Sequence, residues 1–481
     1  MTPRCTLRLV RAGQTGIVAR MTPADPAANP PRAALASGTV VSSAPAATDP
    51  SRLPRHLGIW NAALVLVTFT IGVGILQSPG VVAANTGSIT LSLLAWVVGA
   101  VVALCGSLVM AELAVRTPRS GGTVVFLNQT FGPRAAFLFG WTSIFLNPVS
   151  AAAITLVSTR NLGAILGFGT GAQTVLGLLW VGAIMLLNMR TSRTVGWLAG
   201  GAGVFKIGAL ITVVALCFSG EGASEFAATP LAMEHSLLVG FGLAVVATMF
   251  AYEGWDGLAL VAGEVKAPRR TLPRATLLGM GLILAVYLAV NLGFFHALSF
   301  AEVASTPALA ATAMGRVLGD QAAKIVTVFV AASAASTVLS SLLCNPKIAF
   351  ALAEEGHFFR PVAWVHPRWK TPVVAIGLYG TMTLLYIGSG AGFDWLTRYL
   401  ILGFTPFYGL AAIAAVIQRR RAPLTPGQFA MPLYPLPVVG MLLYVVGGLA
   451  SGFIGDPVAA MGGVGILAAG LLVFEIRRKL A

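Results

Sequence analysis

Charge is scarce in this sequence: only 10% of its 481 residues are Asp, Glu, Lys or Arg, while 57% are hydrophobic. So few charges cannot dress the surface of a soluble domain, which excludes a water-soluble enzyme or nucleic-acid binder and leaves an integral membrane protein. Cysteine is scarcer still, four in all, with Cys105, Cys217 and Cys344 inside apolar runs and Cys5 near the N-terminus. That excludes a disulfide scaffold, and no Cys has metal-ligand spacing, so no metal site and no cofactor are expected. Strict alternation of apolar and polar residues is missing as well, which excludes a membrane β-barrel and makes the spans helical. Residues 1–56, rich in Ala, Pro, Thr and Ser, contain no apolar run long enough for a signal-peptide core and read as a disordered cytoplasmic tail.

What the sequence has in abundance is apolar length. A span needs about 20 mostly apolar residues to cross a bilayer. The chain offers twelve such stretches, near 58–84, 89–111, 135–159, 172–189, 194–218, 237–263, 275–300, 325–346, 371–393, 395–418, 429–455 and 457–474. With the N-terminus inside, 26 of the 31 Lys and Arg fall on cytoplasmic segments, leaving the inside at +19 and the outside at −3. This is the positive-inside bias, so the net charge of +15 is a topology signal with both termini cytoplasmic rather than a nucleic-acid patch.

Two spans carry interruptions that a plain lipid-facing helix does not tolerate. The first reads Val67-Thr-Phe-Thr-Ile-Gly-Val-Gly-Ile-Leu-Gln-Ser-Pro-Gly80, with Gly72 and Gly74 near its middle. The sixth reads Met249-Phe-Ala-Tyr-Glu-Gly-Trp-Asp-Gly257, with Gly254 and Gly257 flanking acids. A lone Gly-x-Gly also serves as a packing surface for a neighbouring helix. Matched breaks five spans apart instead imply two five-helix repeats of opposite orientation. Unwinding frees backbone N–H groups suited to a carboxylate and carbonyls suited to an ammonium, so one such site fits a zwitterion.

Three ionisable residues lie deep in spans, each costing at least about 2.5 kcal/mol at the membrane centre. Lys206 sits near mid-depth of the fifth span, and Glu253 and Asp256 sit in the sixth-span break. A buried lysine can replace a metal cation and release its proton when the site changes, which makes Lys206 a candidate coupling residue; a structural ion pair with either acid is the alternative. The two carboxylates could equally brace the unwound backbone. Arg398, near the outer end of the tenth span, can snorkel.

The segment Phe250-Ala-Tyr-Glu-Gly-Trp-Asp through Gly263-Glu-Val-Lys-Ala-Pro-Arg-Arg-Thr-Leu-Pro-Arg274 resembles the sixth helix and following loop of the amino acid–polyamine–organocation superfamily of permeases. Its L-type, bacterial neutral amino acid branch looks closest. Ile71-Gly-Val-Gly-Ile75, Ala111-Glu-Leu with Pro118-Arg-Ser-Gly-Gly122, the Lys206 helix, and Ala353-Glu-Glu-Gly-His357 with His366-Pro-Arg and Thr371-Pro372 agree in order and spacing. The resemblance runs from about residue 57 to the C-terminus. It implies an all-α membrane protein of the leucine-transporter fold. Residues 57–418 then form the ten-helix inverted-repeat core (57–219 and 237–418), 429–474 two additional helices, and 475–481 a cytoplasmic tail.

By the same resemblance, backbone amides of Gly72, Val73 and Gly74 hold a substrate carboxylate, and carbonyls of Thr70, Ile71, Phe250, Ala251 and Glu253 hold its amine. Trp255 joins the substrate-binding set, Phe250 serves as the outer gate, and Lys206 stands in for a sodium ion, favouring proton symport or exchange. The implied activity is secondary active transport of amino acids across the plasma (inner) membrane by a monomer working through alternating access, with no enzymatic step. Small or neutral amino acids are the expected substrates, with cationic amino acids or polyamines the alternative because of the two acids at the break. A non-transporting sensor is more remote, since no signalling domain is recognisable.

Departures are local. Val73 stands where the family commonly has serine, removing a hydroxyl from the carboxylate site. Lys347 replaces the usual arginine after the eighth span, and Phe359 replaces a common proline. The loop from Gly163 to Gly171 lacks cysteine, so the disulfide-linked heavy chain of animal L-type members is not expected.

Overall fold

The computed structural model describes residues 6–8, 20–22, 57–72, 74–117, 122–190, 208, 210–220, 235–260, 265–306, 308–354, 356, 358–423 and 429–480. The chain divides into two units, Met1–Arg52 and Leu53–Ala481. In the first, Thr6–Arg8 pairs antiparallel with Arg20–Thr22. In the second, the described residues are helical apart from turns, loops and one backbone bridge between Leu57 and Val265.

Eight helices among the described residues are long and apolar enough to cross a membrane, and a ninth span is made of two pieces, Ile59–Thr70 and Gly74–Thr86, bent by 57°. Two shorter apolar helices, Leu237–Ala251 and Val373–Gly388, coincide with the sixth and ninth expected spans. Of the fifth expected span, residues 210–217 are helical, whereas 191–207 lie outside the described residues. The multi-pass helical architecture follows from hydropathy: residues such as Leu66, Trp96, Val157, Phe294 and Leu400 are fully buried, while Leu238, Ile325 and Val446 turn outward, as apolar helices in lipid allow.

Local chemistry sets the helix ends. Ser88 opens the Ile89–Arg116 helix by accepting the Leu91 N–H at 3.3 Å. A reciprocal box between Ser299 and Glu302 opens Phe300–Ser305. Pro133 and Pro268 stand in first turns, where the missing N–H costs nothing. At the entry to the first span and the exit of the sixth, Lys266 N–H donates to the Leu57 carbonyl at 2.9 Å, so the two interrupted spans share one end.

The last two helices brace different parts of the bundle. Leu436–Gly455 packs on Ile89–Arg116 and Leu237–Ala251, while Pro457–Leu480 packs on Pro133–Leu166 and Phe393–Arg421. A buried charge network ties the Ile89–Arg116 and Phe393–Arg421 helices. The fully buried Glu112 receives Arg116 Nε at 3.1 Å, Arg419 Nε and Nη2 at 2.6 and 2.5 Å, and the Met431 N–H at 2.8 Å. Arg419 also lies 3.8 Å over the Tyr434 ring. A desolvated carboxylate with every lone pair engaged is tolerable, whereas removing it strands two cations. Glu112→Ala should therefore cost about 3 kcal/mol, read as a lowered melting temperature of the detergent-solubilised protein. Glu475→Ala, at the surface pair with Arg134, should cost less than about 1 kcal/mol. Equal melting of the two variants would contradict this ranking.

Candidate functional site

The first interruption begins where the helical ladder stops. Ile71 N–H makes the final bond to the Val67 carbonyl at 2.7 Å, and Ile71 itself is extended, with ψ 100°. Gly72 follows as a bend, and a new helix starts at Gly74. Val73 lies outside the described residues. The second interruption is a run of turns from Tyr252 to Asp256 between Leu237–Ala251 and Gly257–Leu260. In an unbroken helix the Ala251 carbonyl would receive the Trp255 N–H. Here that N–H goes to Tyr252 at 3.2 Å, and Gly257 N–H goes to Gly254 at 2.8 Å.

The two breaks lie against each other. A Cβ on Gly254, which has φ +103°, would stand 2.7 Å from the Phe69 carbonyl oxygen, and one on Gly74 would stand 3.0 Å from Ala251 Cα. Only glycine allows both the left-handed backbone and this approach. The fully buried Tyr287, on the Pro268–Ala297 helix, completes the junction. Its hydroxyl lies 2.6 Å from the Ala251 carbonyl and 3.1 Å from the Thr70 carbonyl, the last residues of the two half-helices. One hydroxyl proton serves one acceptor at a time, so the carbonyls keep spare accepting capacity. Buried beside them, Thr70 Oγ1 has no hydrogen-bond partner among the described residues.

Neighbouring helices satisfy the rest of the second break. Tyr252 donates to the Trp96 carbonyl at 3.1 Å, Ser107 to the Trp255 carbonyl at 2.7 Å, and Ser150 to Glu253 Oε2 at 3.4 Å. The first two bonds come from the Ile89–Arg116 helix and the third from Pro133–Leu166. Bonds of this kind from neighbouring helices are how unwound backbone persists at membrane depth.

A cavity opens beside the first break, lined by Ile71, Gly72, Leu76, Leu210, Val213 and Ser333 among others. Its volume, about 10 Å³, accommodates roughly one water, so an amino acid requires the walls to part. A Cβ on Gly72 would meet nothing within 4 Å.

The structure brings together Thr70, Ile71, Gly72, Gly74, Phe250, Ala251 and Glu253, all named from the sequence. The buried Phe250 ring stands edge-on to Phe393 at 5.4 Å, across from the start of the Phe393–Arg421 helix. Trp255 is turned elsewhere: its ring meets Tyr408 at 5.1 Å and its carbonyl is taken by Ser107. Lys206 lies outside the described residues. Ser336 and Ser340, on the eighth expected span, bond to carbonyls of their own helix. The Asn147 carbonyl accepts the Tyr379 hydroxyl at 2.9 Å. Sequence reasoning missed Tyr287, Tyr252 and Ser107. The one signal was a hydroxyl inside an apolar run, which demands a partner without naming it.

Comparison of the sequence with known proteins gives the family. Residues 57–473 match the family model described as amino acid permease. The chain is 29% identical over 399 residues to the serine/threonine exchanger SteT of Bacillus subtilis (strain 168), covering 82% of this chain and 90% of that one. It is 28% identical to the b(0,+)-type amino acid transporter 1 of Mus musculus, covering 82% of each. It is also 28% identical to the Asc-type amino acid transporter 1 of Homo sapiens, over 92% of this chain and 86% of that one.

Two substitutions test the junction. Tyr287→Phe removes the hydroxyl shared by the two carbonyls and should cost about 1–3 kcal/mol, seen as roughly tenfold slower uptake per inserted protein. Uptake equal to wild type would show that the bridge does not matter. Gly254→Ala combines a collision with Phe69 and about 1–3 kcal/mol of backbone strain, so its melting temperature should drop clearly. Gly72→Ala, with open space around its Cβ, should melt like wild type.

Proposed function

The chain belongs to the amino acid permease family, within the amino acid–polyamine–organocation superfamily, and from that premise we propose that it carries a small neutral amino acid across the membrane by exchange or proton symport. It is a multi-pass membrane permease and not an enzyme. The observation that carries the proposal is the junction of the two breaks. The Thr70 and Ala251 carbonyls converge on one hydroxyl, presenting acceptors for an ammonium. The second half-helix of the first span starts at Gly74, where a carboxylate is favoured, and the amides of Gly72, Val73 and Gly74 are the groups assigned to it. Phe250, edge-on to Phe393, is the outer gate.

Serine- or threonine-sized substrates are favoured, since SteT is named for both and the cavity is small. Lys206 is the coupling residue: Leu210 and Val213, four and seven residues after it, line the cavity beside Gly72. The protein acts as a monomer in the plasma (inner) membrane with both termini cytoplasmic, without a disulfide-linked heavy chain. Residues 57–219 and 237–418 are its inverted repeats. A second reading, transport of a cationic amino acid or polyamine, rests on Glu253, whose carboxylate stands within the break and, among the described residues, receives the Ser150 hydroxyl at 3.4 Å.

A competition panel in proteoliposomes separates the two readings. Labelled serine uptake should be inhibited by unlabelled serine, threonine and alanine and not by putrescine; inhibition by arginine and putrescine alone reverses the assignment. For coupling, Lys206→Ala should abolish the response of uptake to an imposed pH gradient, and a full remaining response refutes the role of Lys206.

A further inference from the structure

The connection between the eighth and ninth expected spans holds no acidic residue from Gly356 to Val373, yet it holds Arg360, Arg368 and Lys370. It joins the ends of two consecutive spans, Asp320–Glu354 and Val373–Gly388, so it lies at the boundary of the bilayer. Part of it is anchored inward: Phe358 and Val362 are buried in a cluster with Ile144, Leu352 and Ala375. The next large apolar side chains point outward, Phe359 at 58%, Trp364 at 48% and Val365 at 40% exposure. Phe359 touches the Phe358 ring and Trp364 the His366 ring, each edge-on, so these contacts hold the rings while leaving much of their surface open.

The basic side chains stand on a rigid turn. His366 Nδ1 accepts the N–H groups of Arg368 and Trp369, both at 3.2 Å. His366 N–H donates to the Thr371 carbonyl at 2.9 Å, and Lys370 N–H to the His366 carbonyl at 2.9 Å. Trp369 stacks on the His366 ring at 4.1 Å, and the Arg190 guanidinium lies 5.9 Å over Trp369. Thr371 ties the turn to the Met189 carbonyl, and Arg477 donates to the Gly356 carbonyl at 2.6 Å. Lys370 adopts φ +54°, a conformation unusual for a lysine that this bonding imposes. The result is a fixed surface on which exposed Arg360, Arg368 and Lys370 neighbour exposed aromatic and aliphatic groups.

We propose that this loop is a docking surface for anionic phospholipid headgroups of the bilayer that carries the protein. Its aromatic and apolar side chains enter the headgroup region, and Arg360, Arg368 and Lys370 meet the phosphates. Aromatic rings favour the interface, and basic residues beside them draw anionic lipid. The partner is argued from charge complementarity, the cations Arg360, Arg368 and Lys370 following the acids Glu354 and Glu355 with no further acid before Val373, and from position at the membrane surface. The proposal rests on the topology given above, which puts this loop on the cytoplasmic side.

Trp364 reports on it directly. The protein is reconstituted in vesicles of phosphatidylcholine with equal mole fractions of either brominated phosphatidylglycerol or brominated phosphatidylcholine, and Trp364→Phe is measured in parallel so that the difference isolates Trp364. Quenching of that difference should be at least about twofold greater with the anionic lipid, an excess that basic residues near the surface supply and that salt weakens. Replacing Arg360, Arg368 and Lys370 together by Gln should remove the excess. Equal quenching by both lipids, or no Trp364-dependent quenching by either, overturns the proposal. The wild-type comparison decides even if the triple variant does not fold. Fluorescence does not depend on turnover, so failure here leaves the transport reading standing, and failure of the substrate panel leaves this one.

Discussion

Everything at the centre of this protein depends on a polar backbone kept unpaired by helix and yet paired by something else. Two helices stop inside the apolar layer, at Thr70 and at Ala251, and the carbonyls released there have no solvent to turn to. A single hydroxyl, that of Tyr287, spans both. Because it has one proton for two acceptors, it holds the junction together while leaving room for another cationic donor. That combination, satisfied enough to fold and unsatisfied enough to bind, is the physical basis of the site.

The surrounding architecture follows from keeping that junction in register. Glycines at 74 and 254 let the two breaks touch, and the Ile89–Arg116 helix secures the sixth-span break through Trp96 and Ser107. The same helix is fixed at its other end by Glu112 to Arg419 of the Phe393–Arg421 helix. The final two helices both pack on Phe393–Arg421; Leu436–Gly455 also packs on the helices that bear and secure the second break, and Pro457–Leu480 on Pro133–Leu166.

Much of this was legible in the sequence because membrane proteins expose their logic as composition. Apolar length marks the spans, and glycines paired with acids mark the breaks. Thr70 and Ala251 share the Tyr287 hydroxyl, and Gly74 lies against Phe250 and Ala251. What hydropathy cannot encode is which helix faces which. Tyr287, Tyr252 and Ser107 are ordinary residues in apolar runs until packing aims their hydroxyls at freed carbonyls. Trp255 illustrates the same limit from the other side. Its place within a break made it a binding candidate, but the left-handed turn at Gly254 swings it toward Tyr408 and Gly106. Val73 and Lys206 lie outside the described residues, so their roles rest on sequence and on Leu210 and Val213 at the cavity wall.

Membership of the amino acid permease family and the junction of two broken helices converge on one account, in which main-chain groups rather than side chains recognise the two ends of an amino acid. Hydrogen–deuterium exchange of the reconstituted protein, with and without saturating serine, tests that claim most directly. The account predicts that amides of Ile71–Gly74 and of Ala251–Gly257 gain protection together when substrate binds, with little change in the loop between the eighth and ninth expected spans. Protection confined to other segments, or none at these two, would contradict it.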